Sequence, residues 1–578
     1  MPFHASHSRR AITLFFAVLS PCVAIAQAPV ATRNPPNQNA SPRLSAPADL
    51  IVVNARVYTV DDTRPMVTGF AVRNGRILFA GSDREVRALA GPRTRVVDAG
   101  KRVIIPGMVD AHAHLSGFGT SLTQVKLAGS KSYEEVIART VAKAKEMQPG
   151  EWIVGRGWDQ NLWPDKQFPA HEALSRALPD NPVVLSRVDG HAILANAMAM
   201  RAAGVTASTR DPEGGRIIRM PDNSPSGVFV DNAEALVLRA VPPATRAQRM
   251  RAVLAGISEA QKWGLIGFHD VGASRGTIEI YEQLAREGRY DFRNYVLISD
   301  DSADIAHFTT RGPRSALYDG RLWIRSIKMY ADGALGSRGA ALLAPYSDEP
   351  GNTGLVVTPP AHIQRVAIRA LRSGFQLGVH AIGDRGNRIA LDAFEAALKT
   401  VPTADHRFRI EHAQVIAPGD IPRFAELGVI PSMQGSHQTS DMRWAEVRVG
   451  PQRIKGAYAW RSLLNTGVII ANGSDAPVED VNPLISFHSA VSRQDPSNWP
   501  PGGWYPEQAM TRDEALKSMT IWPAYAGFQE KLMGSISPGK YADFVILDRD
   551  IMTIPAEQIL QTRVMSTWLG GRAVYERR

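Results

Sequence analysis

The sequence predicts an α/β fold: a (β/α)8 TIM barrel with a small β-sandwich built from both chain ends. Three observations lead there. Apolar strand-like runs alternate with helical patterns from about residue 106 to 529, as parallel strands joined by crossover helices require. Metal-ligating residue types close several of those runs, namely His114, Asp270, His380, His412 and Asp475, and the C-terminal rim of parallel strands is where such a barrel places its chemistry. Short β-like segments with tight-turn signals occupy both ends of the chain.

The extreme N-terminus comes first. Arg9-Arg10, an apolar run from Ala11 to Val23 and Ala24-Ile25-Ala26 before Gln27 form a signal peptide with its cleavage site, residues 1–26. Ser8-Arg9-Arg10-Ala11-Ile12-Thr13 also resembles a twin-arginine signal, so export to the periplasm or beyond, by either route, is expected. Cleavage removes two arginines and no acid, lowering the net charge from +10 by two to +8, and it removes Cys22, the one cysteine. The mature protein then has no disulfide and no thiolate ligand. Lys and Arg are spread rather than clustered, which argues against a nucleic-acid surface. No later apolar run is long enough to span a membrane, and room is left for a homo-oligomer.

Residues 27–47 lack hydrophobic period and read as a flexible linker. Residues 48–105 contain short strands, with Asn74-Gly75 as a hairpin turn; residues 530–578 have the same character, with Gly570-Gly571 as another, so the two ends are expected to share one sandwich. Between them lies the barrel, 106–529, with an insertion at about 116–260. Ser132 and Glu135 form a capping box ahead of a helix to about Met147, and Thr245–Trp263 is a second helix. Strands Leu265–Asp270, Phe375–His380 and Phe408–His412 follow.

Val103–Leu115 carries the densest chemistry. In a strand, Asp110, His112 and His114 share one face, so two imidazoles converge. His380 and His412 each close a later strand, and Asp475 follows Val468–Ser474. Nitrogen and carboxylate donors of this kind suit zinc or a similar divalent ion. Any one of them is equally a core histidine or a helix cap; five in barrel order are hard to explain so.

Pro106–His114, Lys328-Met329-Tyr330-Ala331-Asp332-Gly333 with Gly336-Ser337-Arg338, His380-Ala381-Ile382-Gly383-Asp384, Glu411-His412-Ala413 and Gly473–Val478 resemble the amidohydrolase superfamily. Within it they look like the family-3 branch of N-substituted formamide deformylase and AepA-like exoenzyme regulatory proteins. The resemblance implies a hydrolase of a non-peptide C–N bond in a small molecule, with an ester, lactone or cyclic amide as the other substrate class and a catalytically silent regulatory protein as the rival. It implies two zinc ions: His112, His114 and Asp475 on one, His380 and His412 on the other, with carbamylated Lys328 between them. Unmodified, Lys328 would pair with Asp332 or a substrate carboxylate, and one metal would be expected. Metal-activated hydroxide would attack, with Asp475 as general base and then acid.

Asp110 and Asp270 are expected to support ligands from behind. His191, Asp332, Arg338 and His437 resemble substrate-binding positions, a carbonyl-polarising His or a carboxylate-binding Arg, although loop contacts would explain them equally well. Trp158, Trp163, Trp444 and Tyr458 are candidates for pocket walls or core. Two motifs are rejected. Gly534–Lys540 opens like a phosphate loop, but Tyr541 replaces the Ser or Thr; His171-Glu172 opens like a zinc-protease motif, but Ser175 stands where the second His belongs.

Overall fold

The computed structural model describes residues 46–578; the expected signal peptide, Cys22 and nearly all of the linker lie outside the described residues. Eight parallel strands follow one another around the barrel in chain order: Met108–Ala113, Leu265–Ala273, Arg293–Ile298, Leu322–Tyr330, Gln376–Ala381, Arg409–His412, Ile430–Gln434 and Ala471–Gly473. Each run is almost wholly buried, as a strand covered on both faces must be. The outer faces pack on helices through one large core that includes Phe268, Ile324, Leu377, Ile410, Phe394 and Val253.

Asp110 closes the ring. Its Oδ1 accepts the backbone N–H groups of His112 (3.1 Å) and Ser474 (3.0 Å), its Oδ2 accepts the Ser474 hydroxyl, and Asp475 N–H donates to the His112 carbonyl. Gly473 is required beside this seam: a Cβ there would stand 2.5 Å from the His112 nitrogen. The carboxylate therefore ties the last strand to the first and fixes the backbone of two candidate ligands at once.

The expected helices form at Tyr133–Ala144 and Arg246–Lys262. Thr245 and Gln248 make a full capping box, whereas Ser132 caps Glu135 N–H and the Glu135 carboxylate instead accepts from Lys131 N–H. The insertion departs further from expectation, because it holds a six-stranded mixed sheet of its own. Val125–Lys126, Ile153–Trp158 and Val183–Arg187 run parallel, continued by antiparallel Ala192–Ala195, Pro225–Asp231 and Gly215–Arg219. Glycines and arginines interrupt these strands (Gly155, Arg156, Gly157, Arg187) and mask their alternation in the sequence.

At the chain ends, a four-stranded sheet from residues 48–98 faces a six-stranded sheet that mixes Arg56–Tyr58, Met66–Val67 and Val103–Pro106 with Phe544–Leu547, Val564–Leu569 and Arg572–Glu576. Phe70 meets Phe544 edge-on at 4.9 Å, and Phe544 stacks on Trp568 at 5.0 Å, so one core is drawn from both ends. Asn74-Gly75 and Gly570-Gly571 both turn with positive φ (50° and 71°, 56° and 73°), the geometry of a two-residue hairpin. No described helix is long and apolar enough to cross a membrane.

One ion pair gives the scaffold a measurable acid sensitivity. The Arg461 guanidinium at 2.5 Å, with the capping contacts of Thr511, holds the Glu514 carboxyl down at about 2. A depressed folded-state pKa stabilises above the unfolded value of 4.5, and the contribution is lost as pH falls towards 2. Because the pair is partly exposed, Glu514→Gln is expected to cost about 1–2 kcal/mol at pH 7. The Tm gap between the two proteins should narrow steadily below pH 4.5, and a gap independent of pH would refute this origin.

Candidate metal centre and substrate cavity

A cavity of about 1340 Å³ opens over the C-terminal ends of the strands, and His112, His114, Lys328, His380, His412 and Asp475 all line it. His112 ends the inward face of the first strand, and His114 follows as the cap of a short helix. Arg409 and Glu411 point inward from the sixth strand, so strict alternation would send His412 outward. Its left-handed backbone, φ 73°, turns the ring back to the rim, and Asp475 is re-aimed likewise at φ 60°. Non-glycine residues in this region are strained, and such strain collects at functional sites.

Asp475 is the hub. Its Oδ1 lies 3.0 Å from His114 Nε2 and 3.4 Å from His112 Nε2, and its Oδ2 lies 3.7 Å from His437 Nε2. The rings of His112 and His412 are 4.7 Å apart, those of His412 and His380 4.6 Å, and His437 stacks on His412 at 5.7 Å. Burial opposes ionisation of Asp475, but His112, His114 and His412 outweigh it and hold the carboxyl well below the usual range. Burial, followed by the Lys328 charge, lowers His112 to about 4; burial, with neighbouring charges, also holds His380 and His412 well down. These imidazoles are neutral at pH 7.

Behind His112 stands a chain that composition did not reveal. His112 Nδ1–H donates to Glu411 Oε2 at 2.6 Å. Arg409, fully buried, clasps Glu411 at 2.8 and 3.0 Å, and also bonds His269 Nδ1, Ser432 and the Ala111 carbonyl. Burial works against the Glu411 anion, but Arg409 and the His112 hydrogen bond keep it ionised. With the Nδ1 proton committed to Glu411, a neutral His112 presents a bare Nε2 lone pair to the Asp475 oxygen 3.4 Å away. Two acceptors facing each other call for a cation between them.

The donor atoms of His112, His114 and Asp475 lie within 4.8 Å of one another, as do those of His412, His437 and Asp475. His437 Nε2 is buried and has no hydrogen-bond partner among the described residues. This donor set fits a divalent transition ion. His437, expected at the substrate, is thus also placed among the candidate ligands, and His380, expected as a ligand, turns Nε2 towards the Gly333 carbonyl at 3.3 Å. Lys328 Nζ has no carboxylate within 4.0 Å among the described residues, so the expected alternative pairing with Asp332 is absent. Its Nζ lies 4.9 Å from the Tyr330 ring centroid, and burial pushes the amine down to about 8.

Two expected substrate residues are corrected by their surroundings. Asp332 is fully buried and spends its carboxylate on the N–H groups of Ala341 (2.9 Å), Ile382 (2.9 Å) and Gly383 (2.8 Å), bracing the loop beside His380. Arg338 pairs with Asp348 at 3.0 Å and Glu349 at 3.4 Å, outside the cavity lining. His191 does line the cavity; burial opposes its protonation, but a 2.7 Å bond to Asp231 raises it to about 9. Asp270 lies behind His114, accepting Tyr281 hydroxyl (2.6 Å) and Leu115 N–H (2.9 Å). Trp444 lines the cavity, whereas Trp158 and Trp163 belong to the insertion core and Tyr458 is buried on Asp441.

A parallel eight-stranded barrel with imidazoles gathered around one carboxylate at its C-terminal rim defines the class of metal-dependent barrel hydrolases. Residues 95–575 match the model of the amidohydrolase family, and the chain belongs to that family. It is 34% identical to protein LONG AFTER FAR-RED 3 of Arabidopsis thaliana, over 91% of this chain and 92% of that one. It is 29% identical to N-substituted formamide deformylase of Arthrobacter pascens, over 92% and 98%. Among solved structures, an uncharacterized metal-dependent hydrolase from Pyrococcus horikoshii OT3 superposes with a TM-score of 0.71 at 25% identity, covering 88% of this chain and 99% of that one.

Proposed function

We propose that this chain is an exported, zinc-dependent hydrolase of a non-peptide carbon–nitrogen bond in a small amide, with a substituted formamide as the first class to test. The observation that carries the reading is the bare Nε2 of His112 facing the Asp475 carboxylate, a cation site on the floor of a cavity large enough for a small molecule. The formamide class is suggested by the deformylase relative. Export rests on Arg9-Arg10, the apolar run after them and Ala24-Ile25-Ala26.

His112, His114 and Asp475 would hold one ion, and His412 with His437 or His380 a second. A divalent ion supplies a polarised carbonyl and an acidified water. Asp475 takes the water proton on its carboxylate and returns it to the departing nitrogen, which needs protonation because an amide anion is a poor leaving group. Protonated His191, fixed by Asp231, donates to the carbonyl oxygen as charge develops there. Lys328, buried, deprotonated more readily than a free lysine and unpaired with any carboxylate among the described residues, adds CO2 through its amine, releasing one proton and gaining one negative charge shared over two carbamate oxygens.

The test is turnover of purified protein on matched formamides, larger amides and esters, before and after chelation and with zinc restored. Amide cleavage lost on chelation and regained with zinc is expected. Exclusive ester cleavage, or full activity without metal, would overturn the reading.

A further inference from the structure

Arg156 sits between Gly155 and Gly157 on the insertion strand Ile153–Trp158. Pairing with Val183–Arg187 slips by a residue between Arg156 and Trp158, and Gly157 has φ 106°. Such a bulge re-aims a side chain. Here the Arg156 side chain lines the substrate cavity along with His112, His191 and Lys328. Gly190 leaves space for it, since a Cβ at that position would lie 3.2 Å from Arg156 Nη1.

The guanidinium is held by carbonyl oxygens rather than in a direct ion pair, with Asp475, Asp189 and Glu234 acting on it only from a distance. Nε donates to the Pro477 carbonyl at 3.2 Å and Nη2 to the Val188 carbonyl at 2.9 Å, while no carboxylate stands within 4.0 Å among the described residues. Asp189 is committed to Arg187 at 2.5 Å and to His191 N–H at 3.1 Å. On the neighbouring strand Arg187 shows the contrast: it has Asp159, Asp189 and the Gln160 oxygen. An arginine offers five N–H donors in a fork that matches a carboxylate, and withdrawing it from water without a directly paired carboxylate is costly. Pro477 is two residues beyond Asp475, so this fork adjoins the loop that carries the catalytic carboxylate.

We propose that Arg156 is the anion-binding residue of the substrate pocket, and that the preferred substrates carry a carboxylate on the side of the scissile bond facing the insertion. The inference rests on the amide-hydrolase reading for the scissile bond, but the anion subsite can be measured apart from it. The probes are formamides whose amine bears a carboxylate two, three or four carbons from nitrogen, each beside its neutral carboxamide.

With zinc-loaded full-length protein, at least one chain length should show a carboxylate preference of about tenfold or more in kcat/KM, expressed in KM. Arg156→Met should bring that ratio to about one; Arg156→Lys, which keeps charge but not the fork, should leave an intermediate ratio and covers the case in which the Met variant does not fold. Calorimetry on the Asp475→Asn protein, with and without Arg156→Met, reads the same preference without turnover. Arg156-dependent carboxylate binding without hydrolysis of any amide would keep the subsite and overturn the amide reading. Hydrolysis with no carboxylate preference, or a preference that survives loss of Arg156, would overturn the subsite and show the side chain to be a staple between insertion and catalytic loop.

Discussion

Asp475→Asn is expected to lower kcat by at least about 10³-fold on any amide the wild-type protein cleaves, because in the proposed mechanism this carboxylate, on which three imidazoles converge, also carries the proton. The amide isostere keeps the shape but not the negative charge or the basicity. Metal content should fall as well, since Asp475 belongs to both donor clusters. Steady-state kinetics and elemental analysis of the same sample check the two effects together. Retention of activity within about tenfold would remove Asp475 from the proton-transfer role.

Glu411→Ala should have the largest effect on the scaffold beneath the site. It leaves the fully buried Arg409 guanidinium without its anion and the His112 Nδ1–H without an acceptor. Breaking a buried pair from one side costs about 3–5 kcal/mol, a drop readable by urea unfolding. Zinc affinity, read by chelator competition, should weaken about 10–100-fold, because His112 is no longer held in the tautomer that presents Nε2. Glu411→Gln separates the two effects: it can still accept from His112 but no longer balances Arg409, so stability should suffer more than orientation. If both variants bound zinc as tightly as the wild type, Glu411 would be a packing residue only.

The barrel was legible because its strands read as apolar runs with chemistry at their ends, and His112, His114, His412 and Asp475 converge as their positions foretell. Asp332 misled because a carboxylate beside a glycine-rich turn reads the same whether it meets a ligand or three backbone N–H groups, and Arg338 because a guanidinium reads the same whether it meets a substrate or Asp348 and Glu349; only the fold decides. Glu411 and Arg409 did leave a signal, two opposite charges at alternate positions inside an apolar strand, which a strand buried on both faces tolerates only when they satisfy each other. The insertion sheet was not legible, since two- to seven-residue strands broken by Gly155, Gly157 and buried arginines carry too little period. His437 lies on a helix after the seventh strand, where no strand pattern marks it.

The seam at Asp110 bears on how the enzyme is born. Asp110 and Ser474 are 364 residues apart in the chain, and the His114–Asp475 contact spans 361. Contacts so distant in sequence carry a large loop-closure cost and belong to the slow, late part of folding. A ribosome-bound or truncated chain can own four of the histidines and still lack the carboxylate that unites them. On the proposed mechanism, hydrolysis therefore waits on docking of the eighth strand, and a partly folded molecule without it is expected to be inert rather than weakly active.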